Sequence, residues 1–578
     1  MKKMIKIESS SFAALVRSYK KSLNMLAVLQ HICQENDVAL SMLPDEVCEL
    51  IGLDPAEIEK QRLNGRLRFA EEEDGTRHYS ITDIINLKDS IDGIVIALMA
   101  VFMIVPDKSK SVVDIMRGFL GDTIGLYYPI LAIGSVACAL YVALKPKYGN
   151  IRFGNLNKPA YSNFKWGTMI FTSTMAADIM FYSLIEWALY GAETHVVEKG
   201  SMQMWAPTFT LFHWGPLAWG FYVILAVCFG FMMHVRKRER QRFSEACRPL
   251  LGDKVDGIWG KMIDVIAIFA VVCATATTFS LATPLLTKAM GSVFGFEVNT
   301  AITICVLLLI CSIYTITVLF GVTGISKLAG ICSYLFFGIL FYFLFLGGET
   351  RYIVETGFQS LGNLIQNFIG LSTYMDPLRE NGFAQNWTVY YWAYWLVWCV
   401  ATPFFIALIS KGRTIRNTVF GSFGWGLAGT YMSFIILGNY GLAQQMKYGL
   451  NVTGFISNGG EMYDAILMIF DTLPLPAVAL ILLVITMIAF YSTTLDGITY
   501  VTSSYSYKQI AADEEPSRKI RGFWALLLIF LPIGLLFAEN SLYSLQGVTI
   551  IAAFPVGILL TMIVISFFKD CRKWQEGK

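Results

Sequence analysis

Two short segments of the sequence concentrate tryptophan and tyrosine at helical spacing. Residues 212–222 read FHWGPLAWGFY, and residues 387–398 contain four tryptophans. Within the second segment, Trp392, Trp395 and Trp398 recur at every third position, so they share one flank of a helix. Aromatic faces attract cations, and a cage of them is typical of quaternary-ammonium recognition. The alternative is an aromatic belt at a membrane surface, which binds no ligand.

A carboxylate also lies inside an apolar stretch, at Asp178 in residues 165–190. An acid at that depth costs several kcal/mol unless it is paired, and it is by default a functional candidate. The alternative is a structural role with a buried polar partner. If Asp178 faces a binding site, its charge favours a cation over a zwitterion, because a carboxylate on the ligand would be repelled.

The composition indicates a membrane protein. Of 578 residues, 55% are hydrophobic and 15% charged, and the mean hydropathy is +0.54, so lipid must be the main solvent. The net charge of +2 provides no basic field for nucleic acid. The 11 cysteines form no CxxC pair and the five histidines are dispersed, which disfavours a structural metal site and an enzyme. No phosphate-binding loop of the GxxxxGKS/T type is present, so ATP-driven work has no visible basis.

The stretches long and apolar enough to cross a bilayer predict twelve transmembrane helices. They lie at residues 92–106, 122–144, 165–190, 208–234, 258–289, 298–320, 329–348, 387–411, 418–438, 473–501, 521–538 and 546–568. Basic residues in short connections stay cytoplasmic, and here they follow even-numbered spans, at 145–147, 234–240, 411–416 and 517–521. The sequence therefore predicts an all-α, multi-pass protein of the cytoplasmic (inner) membrane with both termini cytoplasmic.

One further helix is predicted between the seventh and eighth spans. Residues 357–374 are apolar at helical spacing but are interrupted by glutamine and asparagine. This pattern predicts an amphipathic helix that lies along the outer surface.

At the level of motifs, the sequence resembles the betaine/choline/carnitine transporter family. Residues 212–222 match its FHWG-x-x-x-W-x-x-Y segment, and residues 387–395 match WT-x-x-YWA-x-W, followed by a basic turn at 411–416. Residues 260–267 also look like the family's fifth span. The resemblance runs from about residue 91 to 568, so a transporter domain is predicted over 91–570.

The resemblance implies a fold and a function. Two inverted five-helix repeats, here about 165–350 and 387–568, would form the core and rock around a midplane site. The family carries out secondary active transport of quaternary-ammonium solutes by alternating access and implies a homotrimer in membrane lipid. It requires no cofactor.

Carried over by position, the family's aromatic box corresponds to four residues of this chain, which are Trp214, Trp219, Tyr222 and Trp395. The resemblance places three more residues at the substrate site, which are Met175, Asp178 and Tyr394. Tyr394 stands where many members have tryptophan, and the family's glycines around 173–178 are absent. Choline-type members carry aspartate at the position of Asp178, which favours choline; betaine transport or carnitine or precursor exchange is the alternative.

For the coupling ion, the resemblance points to Phe490, Thr493 and Thr494, where two hydroxyl residues and nearby carbonyls would hold sodium. Hydroxyls in apolar helices also bond to the preceding turn, which is the structural alternative. At a second sodium-related position this chain has Val271, while Thr275 is kept, so one sodium site is damaged. Coupling to sodium, coupling to protons through Asp178, and solute exchange all stay open.

Residues 1–90 contain charged stretches and no apolar segment long enough to cross a bilayer, and they are predicted to form a small, cytosolic, α-rich domain. Their pattern resembles a winged helix-turn-helix of the excisionase type, with hairpin strands at 65–68 and 79–81. A membrane-tethered DNA-binding regulator is therefore the second function class. Acidic residues outnumber basic ones here, and Glu57 and Glu59 lie on the would-be reading helix, so nucleic-acid binding is disfavoured.

Overall fold

The computed structural model describes residues 41–42, 69–71, 77–80 and 113–577, except 157, 173–175, 239, 320–324, 508–515 and 538–541. Contacts divide the chain into two compact units. The first contains Met1–Ser109 with Ser506–Lys508, and the second contains Lys110–Tyr505 with Gln509–Lys578.

In the first unit, three short strands form an antiparallel sheet. They are β1 (Ser41–Met42), β2 (Phe69–Glu71) and β3 (Arg77–Ser80), in the order β1-β3-β2. Strand β3 overlaps the hairpin strand predicted at 79–81, whereas β2 begins just after the strand predicted at 65–68. The described residues therefore contain strands as well as helices. The predicted helix-turn-helix itself lies outside the described residues, so that domain and its DNA binding stay predictions.

The second unit is helical, since a chain in lipid must satisfy its backbone polar groups internally. Its first half contains α1 (Tyr127–Leu144), α2 (Pro146–Gly149), α3 (Asn163–Thr172), α4 (Ala177–Gly191), α5 (Thr194–Glu198), α6 (Met202–His213), α7 (Pro216–Gly230), α8 (Phe243–Ala246), α9 (Arg248–Leu251), α10 (Ile258–Phe294), α11 (Thr300–Leu319) and α12 (Ile325–Phe341). Its second half contains α13 (Thr350–Thr373), α14 (Val389–Trp398), α15 (Thr402–Ile409), α16 (Ile415–Ser433), α17 (Asn439–Tyr448), α18 (Val452–Ser457), α19 (Met462–Asp471), α20 (Pro476–Ser504), α21 (Arg518–Phe537) and α22 (Leu542–Glu576). Short π-helical segments extend several of them, at Gly118–Thr123, Phe231–Val235, Tyr342–Leu346, Ala384–Thr388 and Phe434–Gly438, and Gly252–Asp256 is a 3-10 turn.

Within the described residues, six helices are long and apolar enough to cross a membrane, or eight if each of two bent pairs is one span. Each predicted span from the second to the twelfth coincides with a helix or with consecutive helices. The first predicted span, 92–106, lies outside the described residues. The protein is therefore a multi-pass membrane protein, and the count of twelve stays a prediction.

Three of the spanning segments are interrupted. Ala176 is extended and immediately precedes α4, α6 and α7 meet at Trp214–Gly215, and α14 and α15 are bent by 52°. Pro216 begins α7, where its missing N–H costs no hydrogen bond. Interrupted helices expose backbone groups at membrane depth, which transporters use to build binding sites.

The amphipathic helix predicted at 357–374 is present as part of α13, which turns by 110° from the preceding helix. One side is buried and includes Ser360 and Asn363. The other side exposes Phe358, Ile365 and Ile369. This two-sided character follows from the spacing of the apolar residues.

Candidate functional site

A cavity of about 240 Å³ lies among the interrupted helices and α20. Its wall includes Asp178 from α4, Trp214 at the α6–α7 break, and residues of α14 and α15. The cavity is mainly apolar and aromatic, with few polar groups, which is the usual composition of a small-molecule site.

The four residues of the predicted aromatic box meet around Trp395. The ring centroid of Trp395 lies 4.9 Å from that of Tyr222, 5.6 Å from that of Trp214 and 5.9 Å from that of Trp219. Trp214, Tyr222 and Trp395 line the cavity, whereas Trp219 is fully buried behind them. The structure therefore brings the four rings together but gives Trp219 a supporting position rather than a place in the wall.

Asp178 lines the same cavity and is 3% exposed. Its Oδ2 accepts hydrogen bonds from the Tyr394 hydroxyl and, at 3.4 Å, from the Thr278 hydroxyl. Its Oδ1 has no hydrogen-bond partner among the described residues. Within the residues that the structure describes, no lysine or arginine forms an ion pair with Asp178. The cavity thus holds a carboxylate beside aromatic rings, which suits a cationic ligand.

Tyr394 also lines the cavity, and its hydroxyl lies 2.8 Å from that of Thr278. Asp178 and Tyr394 are two positions at which the sequence departs from the common family pattern, and they are hydrogen-bond partners. The tyrosine donates from its O–H to the carboxylate. The two departures are therefore in direct contact with each other.

Of the remaining predicted site residues, some line the cavity and others do not. Met175 lies outside the described residues. Thr493 and Thr494 line the cavity, but the Thr493 hydroxyl donates to the Phe490 carbonyl at 3.0 Å, as in the structural alternative. The Phe490 side chain is buried away from the cavity wall.

The cavity lining reaches Gln241 and Ser504, which are close in sequence to basic connections that are predicted to be cytoplasmic. On the other side of the box, aromatic residues fill the space: His213 stacks on Tyr391 at 4.8 Å, and the Tyr190 and Trp387 ring centroids lie 5.0 Å apart. The cavity therefore extends from the box toward the end with the basic connections.

Sequence reasoning missed two residues that the structure associates with the site, Asp496 and Glu186. Asp496 lines the cavity and is ion-paired with Arg521. Trp398, which the sequence places on one flank with Trp395, also lines the cavity. Glu186 is fully buried and accepts a hydrogen bond from the Trp214 indole at 2.8 Å. An available signal was its position, since Glu186 is a second carboxylate in the same apolar span as Asp178.

A glycine of α16 provides a test of the supporting role of Trp219. A Cβ atom added at Gly426 would lie 2.3 Å from two ring atoms of Trp219. We expect Gly426→Ala to displace this ring and to weaken quaternary-ammonium binding about tenfold, within the roughly 1–3 kcal/mol typical of overpacking. Gly424→Ala is the matched control, because an added Cβ there meets nothing within 4 Å. Equal affinities in calorimetric titrations of the two purified variants would contradict this role.

The N-terminal unit provides a second test. Among the described residues, all those that line the cavity lie between Met169 and Ser504. We therefore expect deletion of residues 1–85 to leave ligand affinity unchanged within about twofold, since distant, independent sites do not couple. Calorimetric titration of the purified truncated protein measures this. A folded truncation that no longer binds would place the N-terminal unit in the binding machinery.

Comparison with known proteins identifies similar transporters. A family model described as "BCCT, betaine/carnitine/choline family transporter" matches residues 91–576. The glycine betaine transporter OpuD of Bacillus subtilis (strain 168) is 30% identical over 504 residues, which cover 84% of this chain and 94% of the relative. A probable glycine betaine transporter of Desulfitobacterium hafniense (strain Y51) is 28% identical over 488 residues, with coverage of 82% and 94%. The uncharacterized transporter YeaV of Escherichia coli (strain K12) is 26% identical over 449 residues, with coverage of 76% and 91%.

Proposed function

Since the chain belongs to the betaine/carnitine/choline transporter family, we propose that it is a secondary active transporter of a small quaternary-ammonium solute, with choline favoured. The chain is a transporter and not an enzyme. The observation that supports choline is that Asp178 lines a cavity together with Trp214, Tyr222 and Trp395. The rings would contact the methyl groups of the ligand, and the carboxylate would complement its charge.

Electrostatics separates the two ligand classes. Two unit charges about 4 Å apart interact by about 4 kcal/mol at an effective dielectric constant of about 20. Choline carries a single positive charge and gains this attraction from an ionised Asp178. Betaine carries the same ammonium group but also a carboxylate, which the same residue repels.

Betaine is the second candidate, because two of the relatives are named as glycine betaine transporters. A protonated Asp178 would no longer repel a carboxylate and could donate a hydrogen bond to it. Betaine transport therefore requires a proton on Asp178 or a ligand pose that turns the carboxylate away. Carnitine or precursor exchange is a third possibility in the same site.

Alternating access is the proposed transport cycle. The cavity extends toward the predicted cytoplasmic side while aromatic residues fill the opposite side, as expected of an inward-facing state. The repeats proposed at about 165–350 and 387–568 would rock against each other to reverse this arrangement. Thr493 and Thr494 are the proposed contacts for a sodium ion, and Asp178 is the proposed contact for a proton.

The test is uptake by the purified full-length protein in proteoliposomes. Labelled choline, betaine and carnitine are supplied separately under an imposed sodium gradient, an imposed proton gradient, or no gradient with unlabelled solute inside. We expect choline to accumulate most strongly, and the gradient that drives it identifies the coupling ion. Uptake only without a gradient would indicate exchange. If none of the three solutes enters, the proposed function is wrong.

On the basis of the family resemblance, we also propose a localisation, a topology and an oligomeric state. The protein lies in the cytoplasmic membrane, both its termini are cytoplasmic, and it assembles as a homotrimer in lipid. Mass measurement of the detergent-solubilised protein, together with protease access to tagged termini in oriented vesicles, tests them. A mass equal to that of one chain, or protease cleavage of a terminal tag from the outer side of the membrane, would contradict them.

A further inference from the structure

A second buried carboxylate lies next to the aromatic box. Glu186 is on α4, eight residues after Asp178, and its side chain is fully buried. Its Oε2 accepts the indole N–H of Trp214 at 2.8 Å. Trp214 in turn lines the cavity, so Glu186 contacts the wall of the site from behind without lining the cavity itself.

The surroundings of Glu186 contain no compensating cation in the described part of the chain. The groups that lie beside its carboxylate are Tyr190, Tyr391 and Trp214, from three different helical segments. No lysine or arginine there forms an ion pair with it. Because a buried unpaired acid is costly, packing alone does not account for glutamate at this position.

Two hydrogen bonds that involve side chains hold Trp214. Its backbone carbonyl accepts a hydrogen bond from the Thr430 hydroxyl at 3.1 Å, and its indole N–H donates to Glu186. The residue ends α6 with φ −102° and ψ 19°, so the helix does not continue through it. The contact with Glu186 therefore fixes the side chain at a place where the backbone is interrupted.

We propose that Glu186 is a positioning residue of the substrate site, which fixes the Trp214 ring and increases the electron density of its face toward the cationic ligand. This inference rests on the proposed function. A cation bound in the cavity favours the ionised form of the nearby Glu186 carboxyl. A hydrogen bond to an ionised acceptor is roughly twice as strong as a neutral one, and such bonds polarise their partners. Attraction of a cation to an indole is electrostatic, so a more electron-rich ring binds the ligand more tightly.

The effect of Glu186 on the electron density of the Trp214 ring and its effect on the orientation of that ring can be distinguished with two ligands, one charged and one neutral. Electron density on the ring matters for choline but not for its neutral carbon isostere, in which a carbon atom replaces the nitrogen. Ring orientation matters for both ligands. A merely structural role of Glu186 would lower both affinities by the same factor and would not depend on the Trp214 N–H.

The experiment is a double-mutant cycle on the purified full-length protein. Glu186→Gln keeps an acceptor of similar size and removes the charge, Glu186→Ala removes both, and Trp214→Phe removes the donor but keeps an aromatic ring. Calorimetric titration gives choline affinity, and competition against labelled choline gives the affinity for the isostere. Thermal stability is recorded for each variant.

We expect Glu186→Gln to weaken choline binding about fivefold and Glu186→Ala about twentyfold, in the range of a lost charge-assisted hydrogen bond. The isostere loses less than choline in Glu186→Gln. In the Trp214→Phe background, either Glu186 substitution adds less than about twofold, because the hydrogen bond is already absent.

Two results would overturn the inference. One is a Glu186 effect that persists undiminished in the Trp214→Phe background. The other is an equal loss of choline and isostere in Glu186→Gln. If Glu186→Ala fails to fold, Glu186→Gln decides the question alone. A failure of the proposed function is recognised separately, since the wild-type protein would then bind neither choline nor betaine.

Discussion

Asp178→Asn is expected to raise the KM for choline about 100-fold while raising that for betaine by less than about tenfold. The substitution keeps the size of the side chain and removes its charge. Loss of one partner of a buried charge pair weakens binding by roughly 2–5 kcal/mol, and each 1.4 kcal/mol corresponds to about tenfold in affinity. Betaine loses little because its own carboxylate is no longer repelled. Uptake of both labelled solutes by the same proteoliposome preparation measures the ratio.

The same variant has a second readout in the pH dependence of uptake. A proton and the choline cation compete for the Asp178 carboxylate, so choline uptake by the wild type should fall as the pH is lowered. Asp178→Asn cannot take up that proton, and its pH profile should be flat. Asp178→Glu is the charge-retaining control and should keep part of the choline preference. Equal losses for both solutes, with an unchanged pH profile, would show that Asp178 is a structural acid.

Trp395→Leu is expected to lower the affinity for choline and for betaine alike by at least about 30-fold. A desolvated cation–π contact is worth about 2 kcal/mol or more, and Trp395 also holds the box together. Its ring lies within 6 Å of those of Trp214, Trp219 and Tyr222. Both ligands present the same trimethylammonium group to these rings, so the loss should not discriminate between them.

Trp392→Leu is the matched control on the same helix. Trp392 is fully buried but does not line the cavity, and its ring packs edge-on against Phe212 at 5.4 Å. The substitution leaves a cavity in the packing and should lower the melting temperature without changing the KM of the folded protein more than about twofold. If Trp395→Leu behaves like Trp392→Leu, with normal affinities and reduced stability, the aromatic cluster is a packing feature and not a binding site.

The sequence alone was sufficient for the class of protein and for most of its helices. Bilayer thickness sets the length of a spanning helix, so an apolar stretch such as 258–289 predicts its own helix, which the structure has at Ile258–Phe294. The amphipathic helix at 357–374 was also predictable from the sequence, because the spacing of its apolar residues is a local, periodic signal. The family motifs identified the transporter family without any structure.

Spacing on one helix could not decide which aromatic residues form the site. Trp392, Trp395 and Trp398 share a flank in sequence, yet Trp395 and Trp398 line the cavity while Trp392 packs against Phe212. The neighbouring helices determine this difference, and nothing in the local sequence encodes where they pack.

Only the tertiary structure joined the residues that are distant in the chain. It places the Tyr394 hydroxyl on Asp178 and the Trp214 indole on Glu186. It also moves Trp219 behind the box. These contacts depend on how the interrupted helices pack against each other, because each pair lies on different helical segments. The sequence thus determined which chemical groups the protein carries, and the packing of its helices determined which of them meet.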